Sequence, residues 1–290
     1  MEWQSPDIAK KYKAGEVLTG PFALHAIRQS GLDKADGSEE LVVLDNACGT
    51  GVVTLNLYET LSPAAKAKLE VLCGDFSPGM VKSVQERIEQ NGWTGASAKP
   101  VDAQRMDLPS NHYTHVFTNF ALVGVADPRA LLAESFRVLR PSGVHAFTIW
   151  KHVGWFPIAT AAVARIPGAP RVPPFEEFTK LFLKEPGEGD NWTDMAFVEE
   201  QVRNAGFEDV HIALHKNATK AQNPEEYVKA YGGMTTTMLG NAWNEEEKAR
   251  VSPYIEAALM EELKSRFGDG EVPLDWEAWC ITARVPASKA

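Results

Sequence analysis

The feature that most limits the fold of this chain is an apolar run that ends in a carboxylate and opens at once into a loop of small residues, Leu41-Val42-Val43-Leu44-Asp45-Asn46-Ala47-Cys48-Gly49-Thr50-Gly51. A second apolar run, Leu69-Glu70-Val71-Leu72-Cys73-Gly74, ends in its turn at Asp75. Doubly wound α/β domains build a nucleoside cleft in this way. The backbone of the first strand-to-helix turn approaches the ligand closely, and an acid at the tip of the second strand takes the ribose hydroxyls.

The alternation continues along the chain. Strands are expected at Leu41–Leu44, Glu70–Cys73, Ala98–Val101, Thr114–Thr118, Val144–Trp150, Val210–Leu214 and Trp276–Val285. Helices are expected at Val52–Leu61 and from the Ser77-Pro78 cap to the Asn91-Gly92 stop. Another follows Asp127-Pro128, with Leu131, Leu132, Phe136, Val138 and Leu139 facing the sheet, and Arg140-Pro141-Ser142-Gly143 reads as a turn. This pattern predicts an α/β fold with a Rossmann-like, doubly wound, mostly parallel seven-stranded sheet and right-handed crossovers.

The flanks differ from this core. Residues 6–32 read as helix, interrupted by Gly15 and Thr19-Gly20-Pro21. Residues 153–192 are rich in proline, with Phe175, Phe178 and Phe182 at helical spacing. Trp192-Thr193-Asp194 opens a helix that ends at Ala205-Gly206-Phe207, and two more helices fill Pro224–Phe267. Helices between the last two strands replace a hairpin, and helices inserted beside a cleft act as lids. The expected organisation is a helical cap over residues 1–40, a core over 41–152, and lid helices with the remaining strands over 153–290, forming one catalytic domain overall.

The loop discriminates between ligands. Aligned on G-x-G-x-x-G, its positions are Ala47, Gly49 and Val52, so the third glycine of a dinucleotide site is absent. No Gly-Lys-Ser/Thr follows, which excludes a Walker phosphate loop. Asp45 would repel a pyrophosphate at close range and suits a ligand carrying an ammonium and a sulfonium. Asp45-x-Ala47-Cys48-Gly49-Thr50-Gly51 resembles the first motif of class I S-adenosylmethionine-dependent methyltransferases. The resemblance implies S-adenosylmethionine as cofactor, held at its methionine end by Asp45 and the backbone of Ala47, Gly49 and Gly51. It implies Asp75 on both ribose hydroxyls, Phe76 against the adenine, and Asp102-Ala103 at the adenine edge. Met80, in the matching run Cys73-Gly74-Asp75-Phe76-Ser77-Pro78-Gly79-Met80, and Asn119, after strand four, complete the implied set with Tyr12 of the N-terminal helix.

Composition narrows the partners. The chain has 290 residues, 44% of them hydrophobic, and a formal net charge of −10. It carries no basic run or RNA-type aromatic signature, so nucleic acid is not expected. No stretch of about 18 apolar residues suggests a membrane span, and Met1-Glu2-Trp3-Gln4-Ser5-Pro6 does not read as a signal peptide. The three cysteines, Cys48, Cys73 and Cys280, fit reduced thiols in a cytoplasmic protein and lack metal-binding spacing.

The acceptor side is less defined. Methyl transfer from a sulfonium mainly requires alignment, and a base matters only when the nucleophile must lose a proton. His152, after strand five, is the first candidate base and His25 the second; His145 reads as structural. Phe120, Trp155 and Tyr231 are expected to line an apolar acceptor pocket. The strand-four exit, Asn119-Phe120-Ala121-Leu122, lacks the prolines of amino methyltransferases acting on DNA bases. Asp127 is the only acid nearby and reads as a helix cap, so no metal is expected. Within the class, residues 41–156 are similar to fungal small-molecule methyltransferases of secondary metabolism, in particular the gliotoxin bis-thiomethyltransferase group. The similarity implies a methyl acceptor that is a thiol, hydroxyl or amine of a small natural product. A cofactor-binding regulator or partner subunit of weak activity is the alternative reading. Oligomeric state is not legible.

Overall fold

The computed structural model describes residue 9, residue 13, residues 15–182 and residues 190–288. Strand β1 (Leu41–Asn46) is buried at nearly every position, which suits a Leu-Val-Val-Leu run only between two neighbours. Those neighbours are β2 (Leu69–Asp75) and β4 (Tyr113–Asn119). Both run parallel to it, with Leu41 opposite Leu69 and Val43 opposite His115. β3 (Ala96–Pro100) pairs parallel outside β2, and β5 (Leu139–His152) pairs parallel outside β4. β6 (Glu208–Ala221) and β7 (Val272–Arg284) complete the sheet, in the order β3-β2-β1-β4-β5-β7-β6. Ser142 N donates to Val285 O at 3.1 Å, and Val285 N to Gly143 O at 2.9 Å. The start of β5 thus meets the end of β7, so β7 is the antiparallel member. The seven-stranded, mostly parallel sheet expected from the alternation is present. Strand order reverses between β1 and β4, the place where open α/β sheets leave a crevice beyond the strand ends.

The helices are α1 (Glu16–Ser30), α2 (Val52–Thr60), α3 (Pro63–Lys66), α4 (Pro78–Asn91), α5 (Pro128–Val138), α6 (Trp155–Val163), α7 (Phe175–Phe182), α8 (Met195–Asn204), α9 (Pro224–Gly240), α10 (Glu245–Val251) and α11 (Ile255–Phe267). Their ends follow the sequence signals. Asp127 Oδ1 accepts from Ala130 N at 3.1 Å to cap α5, and α4 stops at Gly92 in the left-handed conformation.

Three local expectations differ from the structure. Gly20-Pro21 does not break α1, because Phe22, Ala23, Ala26 and Ile27 are buried and their packing outweighs the proline cost. The Arg140–Gly143 turn lies inside β5 as a bulge: Tyr113 faces Leu139 while His115 faces Val144, and Ser142 takes φ 63°. Between β6 and β7 stand three helices rather than two, because Asn244 and Glu247 form a capping box that starts α10.

The core around the central strands joins Ala23, Ile27 and Leu32 to Val53 and Leu57 of α2 and to Val43, Val71, Phe117 and Ala146 of the sheet. Each fully buried Val, Leu, Ile or Phe side chain among them stabilises by about 1.5–3 kcal/mol. A polar chain crosses the same sheet. Asn46 Nδ2 donates to Thr118 Oγ1 at 3.3 Å, and Thr118 Oγ1 lies 3.1 Å from His145 Nε2. All three residues are fully buried, and burial pushes His145 down to about 3, so it stays neutral. Asn46 Oδ1 and His145 Nδ1 have no hydrogen-bond partner among the described residues.

The chain divides into two compact units. One comprises Met1–Ile149, Pro186–His215 and Ala278–Ala290; the other comprises Trp150–Glu185 and Lys216–Glu277. In the second unit α11 packs against α6 and α9, with the buried Glu262 carboxylate paired to both Arg165 and Arg266. Also in this unit, the late part of β6 meets the early part of β7, where Trp276 Nε1 donates to Thr219 Oγ1 at 2.8 Å. Among the described residues, no helix is long and apolar enough to cross a membrane.

Candidate functional site

Asp45 stands one residue before the end of β1, and its Oδ2 accepts from the amide (3.1 Å) and the hydroxyl (2.8 Å) of Thr54 in the first turn of α2. The strand-end acid thereby caps the helix that follows, whose own cap position, Gly51, has no side chain. Asp45 is buried, and burial pushes its carboxyl up to about 7. The Thr54 bonds and Arg87 oppose that rise, while Asp75 adds to it. A buried carboxylate without a paired cation is costly to charge. This position therefore favours a ligand that brings a positive charge.

Between Asp45 and α2 the loop turns through left-handed conformations at Ala47 (φ 51°), Gly49 (φ 55°) and Gly51 (φ 82°). A Cβ on Gly51 would also stand 3.3 Å from Val84 Cγ2, so glycine is required there by conformation and by space. The loop is stitched to the end of β2. Cys48 N donates to Gly74 O at 3.0 Å, and Gly49 N to Asp75 Oδ2 at 2.9 Å. Asp75 Oδ1 accepts from Ser77 N at 2.9 Å. Each carboxylate oxygen of Asp75 thus holds one main-chain amide and keeps acceptor capacity to spare. Its carboxyl is raised by burial, against which the two amide bonds act. Phe76, the next residue, leaves 51% of its surface in solvent, a large exposed ring beside a buried acid.

Val101 N donates to Asp75 O at 3.1 Å and brings the end of β3 to this corner. Ala103 is buried there, while Asp102 is exposed and accepts from the backbone and side chain of Gln104 at 2.9 and 3.3 Å. Met80, at the start of α4, is buried against Ala9. At the end of β4, Thr148 Oγ1 donates to Asn119 Oδ1 at 2.8 Å and accepts from Phe120 N at 2.9 Å. This clamp holds Phe120 at φ 57°, a strained conformation for an aromatic residue, with its ring edge-on to Phe22 at 5.7 Å.

The structure therefore gathers Asp45, Ala47, Gly49, Gly51, Asp75, Phe76, Met80, Asp102, Ala103, Asn119 and Phe120 around the carboxyl ends of β1 to β4, all in the first unit. His25 belongs to that unit too. Its ring stacks on His215 of β6 at 3.8 Å and 19°. Burial, with His215 and Arg28, lowers its pKa. His152, Trp155 and Tyr231 belong to the second unit. His152 ends β5 half-buried. Trp155 opens α6 against Phe156 and Phe178, at 5.6 and 6.2 Å. Tyr231 of α9 lies 4.9 Å from Tyr227 and 6.4 Å from Trp276, ring to ring. Tyr12 lies outside the described residues. Among the described residues, no group of three His, Cys, Asp or Glu side chains could hold a metal ion.

Two residues of the site escaped sequence reasoning. Thr54 had a signal, a hydroxyl in the first turn after a strand-end acid. Thr148 had none, since a threonine inside an apolar strand reads as a β-former.

The acceptor oxygens of Asp75, the exposed ring of Phe76 and the buried carboxyl of Asp45 suit a ribose, a flat base and a cationic tail respectively. Comparison with known proteins identifies the family. The family model for a methyltransferase domain matches residues 43–143. The chain is 32% identical over 279 residues to methyltransferase tpcH of Aspergillus fumigatus, covering 96% of both chains. It is 33% identical over 285 residues to acetylaranotin bis-thiomethyltransferase of Aspergillus terreus, covering 97% of this chain and 96% of that one. The YcgJ protein of Bacillus subtilis shares the fold, with a TM-score of 0.53 at 14% identity over 90% of this chain and 98% of that one. A match of this identity along nearly the whole length admits one assignment: the chain belongs to the methyltransferase family and is an enzyme of that family, related to these fungal proteins.

Proposed function

We propose that this methyltransferase takes its methyl group from S-adenosylmethionine and delivers it to a thiol, or otherwise a hydroxyl or amine, of a small and largely apolar metabolite. The observation that carries the reading is the corner at Asp75. One buried carboxylate is fixed between Gly49 N and Ser77 N, with an exposed phenyl ring next to it. Asp75 accepts from both ribose hydroxyls, Phe76 covers the adenine, and Asp102 with Ala103 meets the adenine edge. Asp45 and the loop from Ala47 to Gly51 take the charged methionine end, and Met80 packs beneath the nucleoside. Asn119 and Phe120 border the reacting methyl. When bound, S-adenosylmethionine supplies a methyl group already activated by its sulfonium. The chain's task is alignment and exclusion of water, worth about 7–11 kcal/mol when both are achieved.

Thiol is placed first because of the bis-thiomethyltransferase relative, which matches along almost its full length. A thiol or phenol must lose its proton before or during attack, and His152 is the proposed base. His25 is second, because its ring already lies against His215. Trp155 and Tyr231 contribute apolar surface to acceptor binding. The three cysteines are free and buried, in keeping with a cytoplasmic enzyme.

Calorimetry with S-adenosylhomocysteine tests the cofactor assignment, and saturable binding is the expected result. An absence of heat and of any melting shift at millimolar ligand would remove the reading. Labelled S-adenosylmethionine offered with thiol, phenol and amine acceptors then ranks the acceptor classes, and His152→Ala is expected to slow the thiol or phenol reaction and shift its pH profile upward.

A further inference from the structure

Thr50, in the middle of the loop, gives its hydroxyl and its carbonyl to residues outside the set assigned to the ligand. Its hydroxyl donates to Glu16 Oε1 at 2.5 Å, and its carbonyl accepts from Arg87 Nη1 at 2.8 Å. Glu16 belongs to α1 and Arg87 to α4. The two pair fork to fork, Nη1 to Oε1 at 2.7 Å and Nη2 to Oε2 at 3.0 Å. Their side chains are only 15% and 14% exposed. The Arg87 guanidinium also lies 5.8 Å from the ring centre of Trp93, which stacks on Tyr58 at 5.0 Å and 7°. Two helices therefore converge on the hydroxyl and the carbonyl of one loop residue.

Ion pairs this far from water seldom stabilise more than apolar side chains of the same volume, because desolvation offsets the attraction. Placing one on a main-chain carbonyl and a hydroxyl specifies a geometry instead. The need is local. Thr50 stands between Gly49 and Gly51, both in left-handed conformations, and glycine peptides have the widest freedom to lose. Fixing the peptides on either side of Thr50 in advance removes an entropy cost that ligand binding would otherwise carry.

We propose that Glu16 and Arg87 are positioning residues for cofactor binding, acting through Thr50, and that they tie cofactor affinity to the docking of α1. This rests on the reading that the loop holds S-adenosylmethionine. The first link is carried by Thr50, and Thr50→Val deletes its hydroxyl while leaving the ion pair whole and the side chain the same shape. The second link makes the cofactor and α1 mutually stabilising, since coupling between sites is reciprocal.

The test is calorimetry with S-adenosylhomocysteine alongside melting curves for wild type, Thr50→Val, Thr50→Ser, Glu16→Gln and the Thr50→Val/Glu16→Gln double variant. The expected result is a Kd raised about tenfold in Thr50→Val and Glu16→Gln and kept within about twofold in Thr50→Ser. The double variant is expected to lose less affinity than the sum of the two single losses, because both substitutions act on the same network around Thr50. Hydrogen exchange supplies the second readout: S-adenosylhomocysteine should slow exchange of the amides of residues 16–30 in wild type and less so in Thr50→Val. Wild-type binding with unchanged Kd in Thr50→Val and Glu16→Gln overturns the positioning role while leaving the cofactor reading intact. So does a Tm loss without a Kd change, which marks a purely structural pair. A raised Kd without ligand-dependent protection of residues 16–30 overturns the link to α1. Failure of wild type itself to bind overturns the cofactor reading and this proposal together. Should Glu16→Gln not fold, the Thr50→Val and Thr50→Ser pair decides alone.

Discussion

The two units carry different kinds of interaction at the residues assigned to ligand binding. In the first, the site is built on main-chain amides: Gly49 and Ser77 on Asp75, Thr54 on Asp45, Phe120 on Thr148. In the second, rings dominate. Trp155, Phe156, Phe175 and Phe178 pack together, as do Tyr227, Tyr231, Trp150 and Trp276. Three buried polar atoms there, Tyr227 Oη, Thr235 Oγ1 and Trp243 Nε1, have no hydrogen-bond partner among the described residues. A scaffold of amides and carboxylates accepts one ligand geometry, because each lost partner strands a buried group at about 1–3 kcal/mol. A ring-packed unit can exchange one large apolar side chain for another of similar volume at less than about 1.5 kcal/mol. On the proposed reading the first arrangement holds the cofactor and the second receives the acceptor.

The comparison breaks most visibly at Asp75. Asp75→Ala removes the acceptors proposed for both ribose hydroxyls and the anchors of Gly49 and Ser77. Charged hydrogen bonds of this kind contribute roughly 1.5–3 kcal/mol each, so calorimetry should show affinity for S-adenosylhomocysteine falling by about a hundredfold or more. Retained affinity would mean that the amide scaffold is not the binding surface.

Asp45 gives the next largest effect, and its sign is specific. Its folded-state pKa is near 7, against 3.8 for the ordinary carboxyl. Between those values the folded protein keeps a proton that the unfolded chain has released. Ligand-free stability should therefore fall as pH rises from about 4 to about 7, by on the order of a few kcal/mol, with no further contribution from this group above that range. Asp45→Asn should flatten the slope, raise Tm at pH 8 and weaken cofactor binding. Melting curves across that pH range check the first two, and a slope that survives the substitution assigns the proton elsewhere.

Gly51→Ala follows. A left-handed φ of 82° and a neighbour 3.3 Å away should destabilise the protein by about 1–3 kcal/mol in urea unfolding. Smallest is Tyr227→Phe in the second unit. Deleting a buried hydroxyl without a partner should leave stability unchanged or raise it by up to about 1 kcal/mol. If the variant instead loses turnover at unchanged stability, that hydroxyl serves the acceptor and the second unit is more polar in function than its packing shows.

The same contrast explains what could be read from the residues alone. The parallel sheet was legible because Leu41–Leu44 is apolar throughout, Leu69–Cys73 is apolar apart from Glu70, and an acid stands at the end of each run before a turn. Ala47, Gly49, Gly51 and Asp75 were legible because backbone shape demands small residues and a carboxylate at fixed places. The polar partners were not. Thr148, Glu16 and Arg87 act through contacts between elements far apart in the chain, and nothing in their local pattern distinguishes them from ordinary helix or strand residues; Thr54, nine residues from Asp45, had a local signal that went unread. The bulge at Ser142 was read as a turn because Pro141 and Gly143 signal a break, and only pairing with β4 and β7 shows the strand continuing across it. Acceptor preference was illegible for the reason given by the second unit: large apolar residues at helical spacing announce packing and are silent on shape.

The buried chain from Asn46 through Thr118 to His145 has a consequence for how the sheet assembles. It joins β1, β4 and β5, strands whose apolar faces would otherwise tolerate sliding past one another. A shift of one residue would send each of these side chains to the opposite face and leave three polar groups dry and unmatched. The sheet thus carries an internal proofreading mark, and misaligned intermediates are penalised before any ligand has arrived.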